Sequence, residues 1–135
     1  MLVFQLVRFY SSFNVTVRNI RISNSPQCHL KFDSSGGIKV RNVTISSPGD
    51  SPNTDGIHVG DSTNVTISGA TIGTGDDCIS IGPGSRTIRV HGVRCGPGHG
   101  ISVGSLGRYP GEEDVRRLRV ANCTIAGTSS STIFS

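Results

Sequence analysis

The chain has 135 residues, the length of one modest domain, at which folding buries about two-thirds of the unfolded surface and a single core is feasible. Apolar residues make up 34%, Gly occupies 18 positions, Trp is absent, and Val, Ile, Thr and Ser outweigh Leu, Met and Ala, so strands and turns are favoured over helices. Thirteen basic residues against nine acidic ones give a net charge of +4, and most of the thirteen are Arg, which points to an anionic partner; with few aromatics and no binding motif, nucleic acid is set aside.

The opening segment, MLVFQLVRFYSSF, holds an apolar stretch shorter than the core of a signal peptide and far shorter than a membrane span, so neither a targeting segment nor a membrane anchor is expected within the chain. Four Asn-x-Ser/Thr sequons, at Asn14, Asn42, Asn64 and Asn122, accompany four cysteines. Together they suggest a secreted, extracellular ancestry, with Met1 not the natural start.

Short strands with alternating apolar and polar residues follow one another along the chain, separated by Gly, Asp, Ser and Pro turns. One track runs through Asn14-Val-Thr-Val, Asn42-Val-Thr-Ile, Asn64-Val-Thr-Ile, Thr87-Ile-Arg-Val and Leu118-Arg-Val, and its expected apolar column is Val15, Val43, Val65, Ile88 and Leu118. A second track is more regular. Gly56-Ile57-His58-Val59-Gly60 overlays Cys78-Ile79-Ser80-Ile81-Gly82 and Gly100-Ile101-Ser102-Val103-Gly104, with an offset of 22 residues both times.

Repeats of this length without helical segments predict an all-β solenoid, in which each coil hydrogen-bonds to the next at about 4.7–4.9 Å. Ile57, Ile79 and Ile101 then form one buried stack, Val59, Ile81 and Val103 the next, and Gly60, Gly82 and Gly104 mark the end of the strand. An antiparallel sandwich with chance similarity is the alternative. The solenoid accounts better for the exact register, and it covers both faces of a parallel sheet by wrapping it around one interior.

The same register places Asp55, Asp77 and His99 at one position on three successive coils, with Asp76 beside Asp77. Titratable groups converging within about two rungs, roughly 10 Å, titrate together, and at least one carboxyl is expected to stay protonated to higher pH. Carboxylates one rung apart with a lateral offset approach the separation of about 6.5–9.5 Å used in inverting glycoside hydrolysis. Two other readings compete. Asp in turns commonly caps its own backbone, and an acidic ladder can hold Ca²⁺, which would make the chain lyase-like; His99 is a poor ligand for that ion.

The segments Asn53-Thr54-Asp55-Gly56, Gly75-Asp76-Asp77-Cys78 and Gly98-His99-Gly100-Ile101-Ser102-Val103-Gly104-Ser105 resemble, in order and spacing, three of the four signature motifs of the polygalacturonases, glycoside hydrolase family 28. Residues 8–128, including Asn24-Ser25-Pro26-Gln27-Cys28 and Ser47-Pro48-Gly49-Asp50-Ser51-Pro52, are most similar to plant members. The resemblance implies a right-handed parallel β-helix of the pectin-lyase type, here about five to six coils. Residues 1–135 would form a single partial domain with a divergent tail at 129–135.

It further implies that Asp76 is the general acid, that Asp55 and Asp77 hold and activate the attacking water, and that His99 tunes the acid. The substrate would be polygalacturonate, the acidic pectin backbone, cut with inversion, with no metal or organic cofactor and a monomeric protein. Asn53 and His58, with Arg108 and Tyr109 in the loop after Ser105, are the substrate-binding candidates. The fourth motif, Arg-Ile-Lys, is absent, and after Thr128 the sequence becomes Ser129-Ser130-Ser131-Thr132-Ile133-Phe134-Ser135. A truncated or degenerate copy is the expectation, weak or inactive for lack of a substrate clamp. A non-catalytic, pectin-binding solenoid is the alternative.

The resemblance also implies a disulfide between Cys78 and Cys95, pinning the turn that carries Asp76 and Asp77; two small apolar residues in a stack are the alternative. Cys28 and Cys123, about four coils apart, are too distant to pair. His29 is read as structurally satisfied. The run Arg116-Arg117-Leu118-Arg119 reads as a solvated strand face, with Glu112, Glu113 and Asp114 offsetting its charge.

Overall fold

The computed structural model describes residues 3–4, 6–24, 28–47, 55–96, 100–103 and 115–125. In chain order the strands are β1 (Val3–Phe4), β2 (Val7–Tyr10), β3 (Thr16–Arg18), β4 (Arg21–Ser23), β5 (Leu30–Asp33), β6 (Gly36–Arg41), β7 (Thr44–Ser46) and β8 (Ile57–Gly60). They continue as β9 (Thr63–Ser68), β10 (Thr71–Gly73), β11 (Ile79–Ile81), β12 (Arg86–His91), β13 (Arg94–Cys95), β14 (Ile101–Val103), β15 (Arg116–Ala121) and β16 (Thr124–Ile125).

Every third strand pairs. Sheet I stacks β1-β4-β7-β10-β13-β16, sheet II stacks β2-β5-β8-β11-β14, and sheet III stacks β3-β6-β9-β12-β15. All strand pairings among the described residues are parallel, so the chain is a β-solenoid whose three walls enclose one apolar interior. Ile57, Ile79 and Ile101 are in direct register and wholly buried, as the 22-residue repeat predicts. The column continues to Leu30, paired with Ile57, and to Val7, paired with Leu30. Each fully buried Ile or Leu contributes about 1.5–3 kcal/mol relative to exposure.

The other track is corrected. Val65 pairs with Ile38 and Ile88 in sheet III, whereas Thr44 pairs with Thr71 in sheet I, so Val43 belongs to a different wall. Residues 42–45 and 64–67 share a sequence, Asn-Val-Thr-Ile, without sharing a column. They look alike because each begins with a left-handed Asn followed by an inward β-branched residue.

Eleven non-Gly residues among those described have φ between 47° and 59°, six of them Asn. They are organised in columns. Asn19, Asn42, Gly69, Gly92 and Asn122 turn the chain from sheet III to sheet I, and Ser11, Ser34, Asp61 and Gly84 turn it from sheet II to sheet III. Left-handed backbone costs an ordinary L-residue roughly 1–2 kcal/mol, less for Asn and Asp and nothing for Gly. At the first corner the Asn42 side-chain amide also donates to Asn19 Oδ1 at 2.7 Å. Replacing Asn42 by Gly is expected to leave the urea unfolding midpoint within a few tenths of a kcal/mol of the parent. Asn42→Val should lower stability by about 1–2 kcal/mol, and equal effects of the two would refute the left-handed corner.

Candidate active site

The acidic groups sit at the third corner, where the chain passes from sheet I to sheet II. Asp55 immediately precedes the Gly56 that leads into β8, and Asp76 and Asp77 lie between β10 and β11. One oxygen from each of Asp55, Asp76 and Asp77 can be chosen so that all lie within 4.8 Å of one another, and all three residues are half-buried. Allowing about 1.2 Å for each C–O bond, the carboxyl groups are at most about 7 Å apart. That overlaps the lower end of the inverting range of about 6.5–9.5 Å and also reaches down to the retaining range of about 5–5.5 Å.

The corner is built by hydrogen bonds between coils. Gly56 N donates to the Asp77 carbonyl at 2.9 Å, Ile57 N to the Cys78 carbonyl at 2.9 Å, and Cys78 N to the Gly100 carbonyl at 2.7 Å. Asp77 N donates to Asp55 Oδ1 at 3.2 Å, so the backbone of one acidic residue holds the carboxylate of the other. The buried Ser102 hydroxyl donates to Asp77 Oδ2 at 2.6 Å. Fully buried Thr74 donates its hydroxyl to the Asp76 and Asp77 carbonyls, at 3.0 and 3.4 Å.

Cys78, next to Asp77, is disulfide-bonded to Cys95 of β13 with a Cα–Cα distance of 6.0 Å, within the normal range. Cys28 and Cys123 are not part of a disulfide. Burial, aided by the nearby Asp55 carboxylate, pushes the Cys28 thiol up to about 11, so it stays protonated and unreactive at neutral pH.

Beneath Asp55 lies His29, wholly buried. Its backbone N–H and its ring Nδ1 both contact the Asp55 carbonyl oxygen, at 3.1 and 2.9 Å, and since a carbonyl only accepts, Nδ1 carries the hydrogen. Burial pulls the imidazole below its usual range while the bond to Asp55 acts in the opposite direction. His29 is thus the structurally satisfied histidine expected, and it also fixes the backbone of Asp55. The sequence hid this because the step from Leu30 to Ile57 is not the 22-residue step of the visible repeat.

On the outer face of sheet II, Lys31, His58, Ser80 and Ser102 form one column beside the acidic corner. His58 Nδ1 lies 3.2 Å from Ser80 Oγ, and Lys31 pairs with Asp33 at 3.6 Å. Burial lowers the His58 pKa, with Asp33 raising it and Lys31 lowering it further. A Cβ on Gly60 would stand 3.2 Å from His58 Nε2 and 3.0 Å from Asp33 Oδ1, so the glycine makes room for both side chains. The same three carboxylates are hard oxygen donors of the kind that Ca²⁺ takes, in a shell of about 6–8 oxygens.

The sequence matches the family described as glycosyl hydrolases family 28 over residues 4–132. This chain belongs to glycosyl hydrolase family 28. It is 50% identical over 115 residues to an exopolygalacturonase of Zea mays, covering 85% of this chain and 28% of that protein. A polygalacturonase of Medicago sativa is 51% identical over 117 residues, 87% of this chain and 28% of the relative. Among solved structures, a polygalacturonase from Erwinia carotovora ssp. carotovora superposes with a TM-score of 0.82 at 33% identity, over 90% of this chain and 32% of that one. The family 28 chain therefore spans about three tenths of the length of these relatives.

Of the residues singled out by sequence, Asp55, Asp76 and Asp77 are brought together, His58 lies on the adjoining face, and the disulfide is formed. Asn53, His99, Arg108 and Tyr109 lie outside the described residues. Ser102, Thr74 and His29 are the additions; for Ser102 the 22-residue register was the available signal.

A Cβ at Gly56 would collide with the Cys78 carbonyl oxygen and stand 2.5 Å from Ile72 Cγ2. Gly56→Ala is expected to cost about 1–3 kcal/mol in urea unfolding; a neutral effect would contradict this packing. The lowered His29 pKa also fixes a pH dependence. The unfolded imidazole, near pH 6.5, takes up a proton that the folded one resists, so the contribution is complete above about pH 6.5 and declines as the pH falls towards the folded value. His29→Gln should lose less stability than the parent between pH 7.5 and pH 5, a comparison made by urea unfolding at both values; equal losses would refute it.

Proposed function

We propose that the corner bearing Asp55, Asp76 and Asp77 belongs to a polygalacturonase. It hydrolyses α-1,4-galacturonosyl linkages of polygalacturonate by inverting general acid–base catalysis. The observation that carries this reading is the convergence of three carboxylate oxygens within 4.8 Å on successive coils of a family 28 solenoid. The names of the relatives, polygalacturonase and exopolygalacturonase, support the substrate class.

In this reading Asp76 donates its proton to the glycosidic oxygen. Asp55 and Asp77 hold the water and take its proton as it attacks the anomeric carbon. Asp77 suits that role, because the Ser102 hydroxyl, donated to its Oδ2, fixes the orientation of the carboxylate. Asp55 is anchored in the same way by the Asp77 N–H. His58 and Lys31 on the outer face of sheet II meet the hydroxyls and carboxylates of the sugar chain, with Asn53, Arg108 and Tyr109 as further contacts and His99 tuning the acid. The protein acts outside the cell on the acidic polysaccharide of the wall.

The test is release of reducing ends from polygalacturonate by this chain, read together with binding of galacturonate oligomers. Asp76→Asn should lower the rate about 10²–10⁴-fold with oligomer binding retained, and the product should first appear with the inverted anomeric configuration by NMR. An unchanged rate in Asp76→Asn would remove it from the acid role. Oligomer binding with no turnover by the parent chain would leave a pectin-binding solenoid, and unsaturated products abolished by a chelator would replace hydrolysis by elimination.

A further inference from the structure

Sheet III is the wall that does not border the acidic corner, and it carries most of the positive charge. Arg18, Lys39, Arg41, Arg86, Arg89, Arg116, Arg117 and Arg119 are all exposed on β3, β6, β12 and β15, and no strand of this sheet contains an acidic residue. The cations are stacked on one another. Arg18 is in direct register with Arg41, Arg86 with Arg116, and Arg89 with Arg119. Rungs about 4.7–4.9 Å apart bring like charges opposite each other, an arrangement that destabilises a sheet unless something neutralises it.

None of these eight side chains forms an ion pair with a described residue, and Glu112, Glu113 and Asp114 lie outside the described residues. Between β12 and β15 the surface opens into a depression of about 410 Å³ lined by Thr87, Arg89, Arg117, Leu118 and Arg119. Thr87 and Arg117 hold left-handed backbone, φ 55° each, in a column that carries Asn14, Gly37 and Asn64 on the other rungs. Two residue types ill suited to that conformation therefore occupy it where the guanidinium groups gather.

We propose that the outer face of sheet III is a second binding surface, separate from the acidic corner, for a linear carboxylate polymer: de-esterified polygalacturonate. Two cationic clusters, on β3/β6 and β12/β15, are separated by the neutral β9 and span five rungs, roughly 19 Å, which suits an extended chain rather than a single small anion. Arg forks match carboxylates in paired hydrogen bonds. Nucleic acid is the less suited polyanion, because the five strands carry no Phe, Tyr or Trp on which successive bases could stack, and a single exposed ring, Phe13 beside Gly36, adjoins them at the β3/β6 end. Such a surface tethers the polymer and raises its local concentration at the corner without touching the reacting bond. The choice of polymer rests on the polygalacturonase reading; the existence of a polyanion surface does not.

The experiment measures binding of the whole chain to immobilised de-esterified polygalacturonate, to its fully methyl-esterified counterpart and to a DNA duplex, at low and at moderate salt. The parent and Asp76→Asn are expected to bind the de-esterified polymer alike, with affinity falling about tenfold or more between roughly 50 and 300 mM salt. The variant carrying Arg86→Gln, Arg89→Gln, Arg116→Gln and Arg119→Gln should bind at least about tenfold more weakly, with its circular dichroism unchanged. The Lys39→Gln, Arg41→Gln variant, altered in the other cluster, should lose a smaller part. Undiminished binding by both variants, or equal binding of the methyl-esterified polymer, would overturn the proposal, and tighter binding of DNA would overturn its occupant. Because binding is read without turnover, an inactive chain that binds through these residues would sink only the hydrolase reading.

Discussion

The structure depends on one constraint, the in-register parallel hydrogen bonding of each coil to the next. At the corner between sheets II and III left-handed backbone recurs from rung to rung, and the N–H of each corner residue reaches the adjacent coil. Ser11 N donates to Asp33 O at 2.9 Å, Ser34 N to Gly60 O at 3.1 Å, and Asp61 N to Pro83 O at 3.1 Å. A coil that turned differently would break these bonds, each worth about 0.5–1.5 kcal/mol net. The choice of Asn, Gly, Ser and Asp at the corners between sheets II and III and between sheets III and I therefore answers to the neighbouring coils as well as to the residue itself.

The interior corner between sheets II and III shows how polar atoms are accommodated. Ser35, Ser62 and Ser85 are buried one above another. Ser35 and Ser62 donate their hydroxyls to their own coil, to the carbonyls of Asp33 and Gly60 at 2.9 and 2.8 Å. The same oxygens accept the N–H groups of Ser12 and Ser35 from the next coil, at 3.1 Å each. Each hydroxyl closes a gap in the ladder on two coils at once, which is why a small polar residue persists where an apolar one would strand backbone groups.

Legibility in the sequence followed loop length. The steps joining β8, β11 and β14 are equal, so the column of Ile57, Ile79 and Ile101 and the alignment of Asp55 with Asp77 could be read directly. In sheet III the matching steps from Ile38 through Val65 and Ile88 to Leu118 are 27, 23 and 30, and the repeated Asn-Val-Thr-Ile offered a false register in their place. The unequal step below β8 likewise concealed His29 and Cys28 under Asp55. The sequons have a structural source too. Asn14, Asn42, Asn64 and Asn122 all hold left-handed backbone, each followed by a residue packed on the core and then by Thr. The ladder alone generates Asn-x-Thr, so the motif carries less information about secretion than its count suggests.

The same stacking that aligns apolar side chains also forces the carboxylates together. Two full charges 4.8 Å apart repel by about 3–4 kcal/mol at an effective dielectric of about 20, so an acidic corner with all three groups ionised would tend to spread. The Cys78–Cys95 disulfide adjoining Asp77 stabilises the fold as a whole by restricting the unfolded chain, by about 3 kcal/mol for a loop near this size. The Ser102 hydroxyl and the Asp77 N–H add donors aimed at the carboxylates, each bond to a charged group contributing about 1.5–3 kcal/mol. Together the two bonds supply about 3–6 kcal/mol, the size of one such pairwise repulsion, so the corner holds its acids close only while these donors are in place.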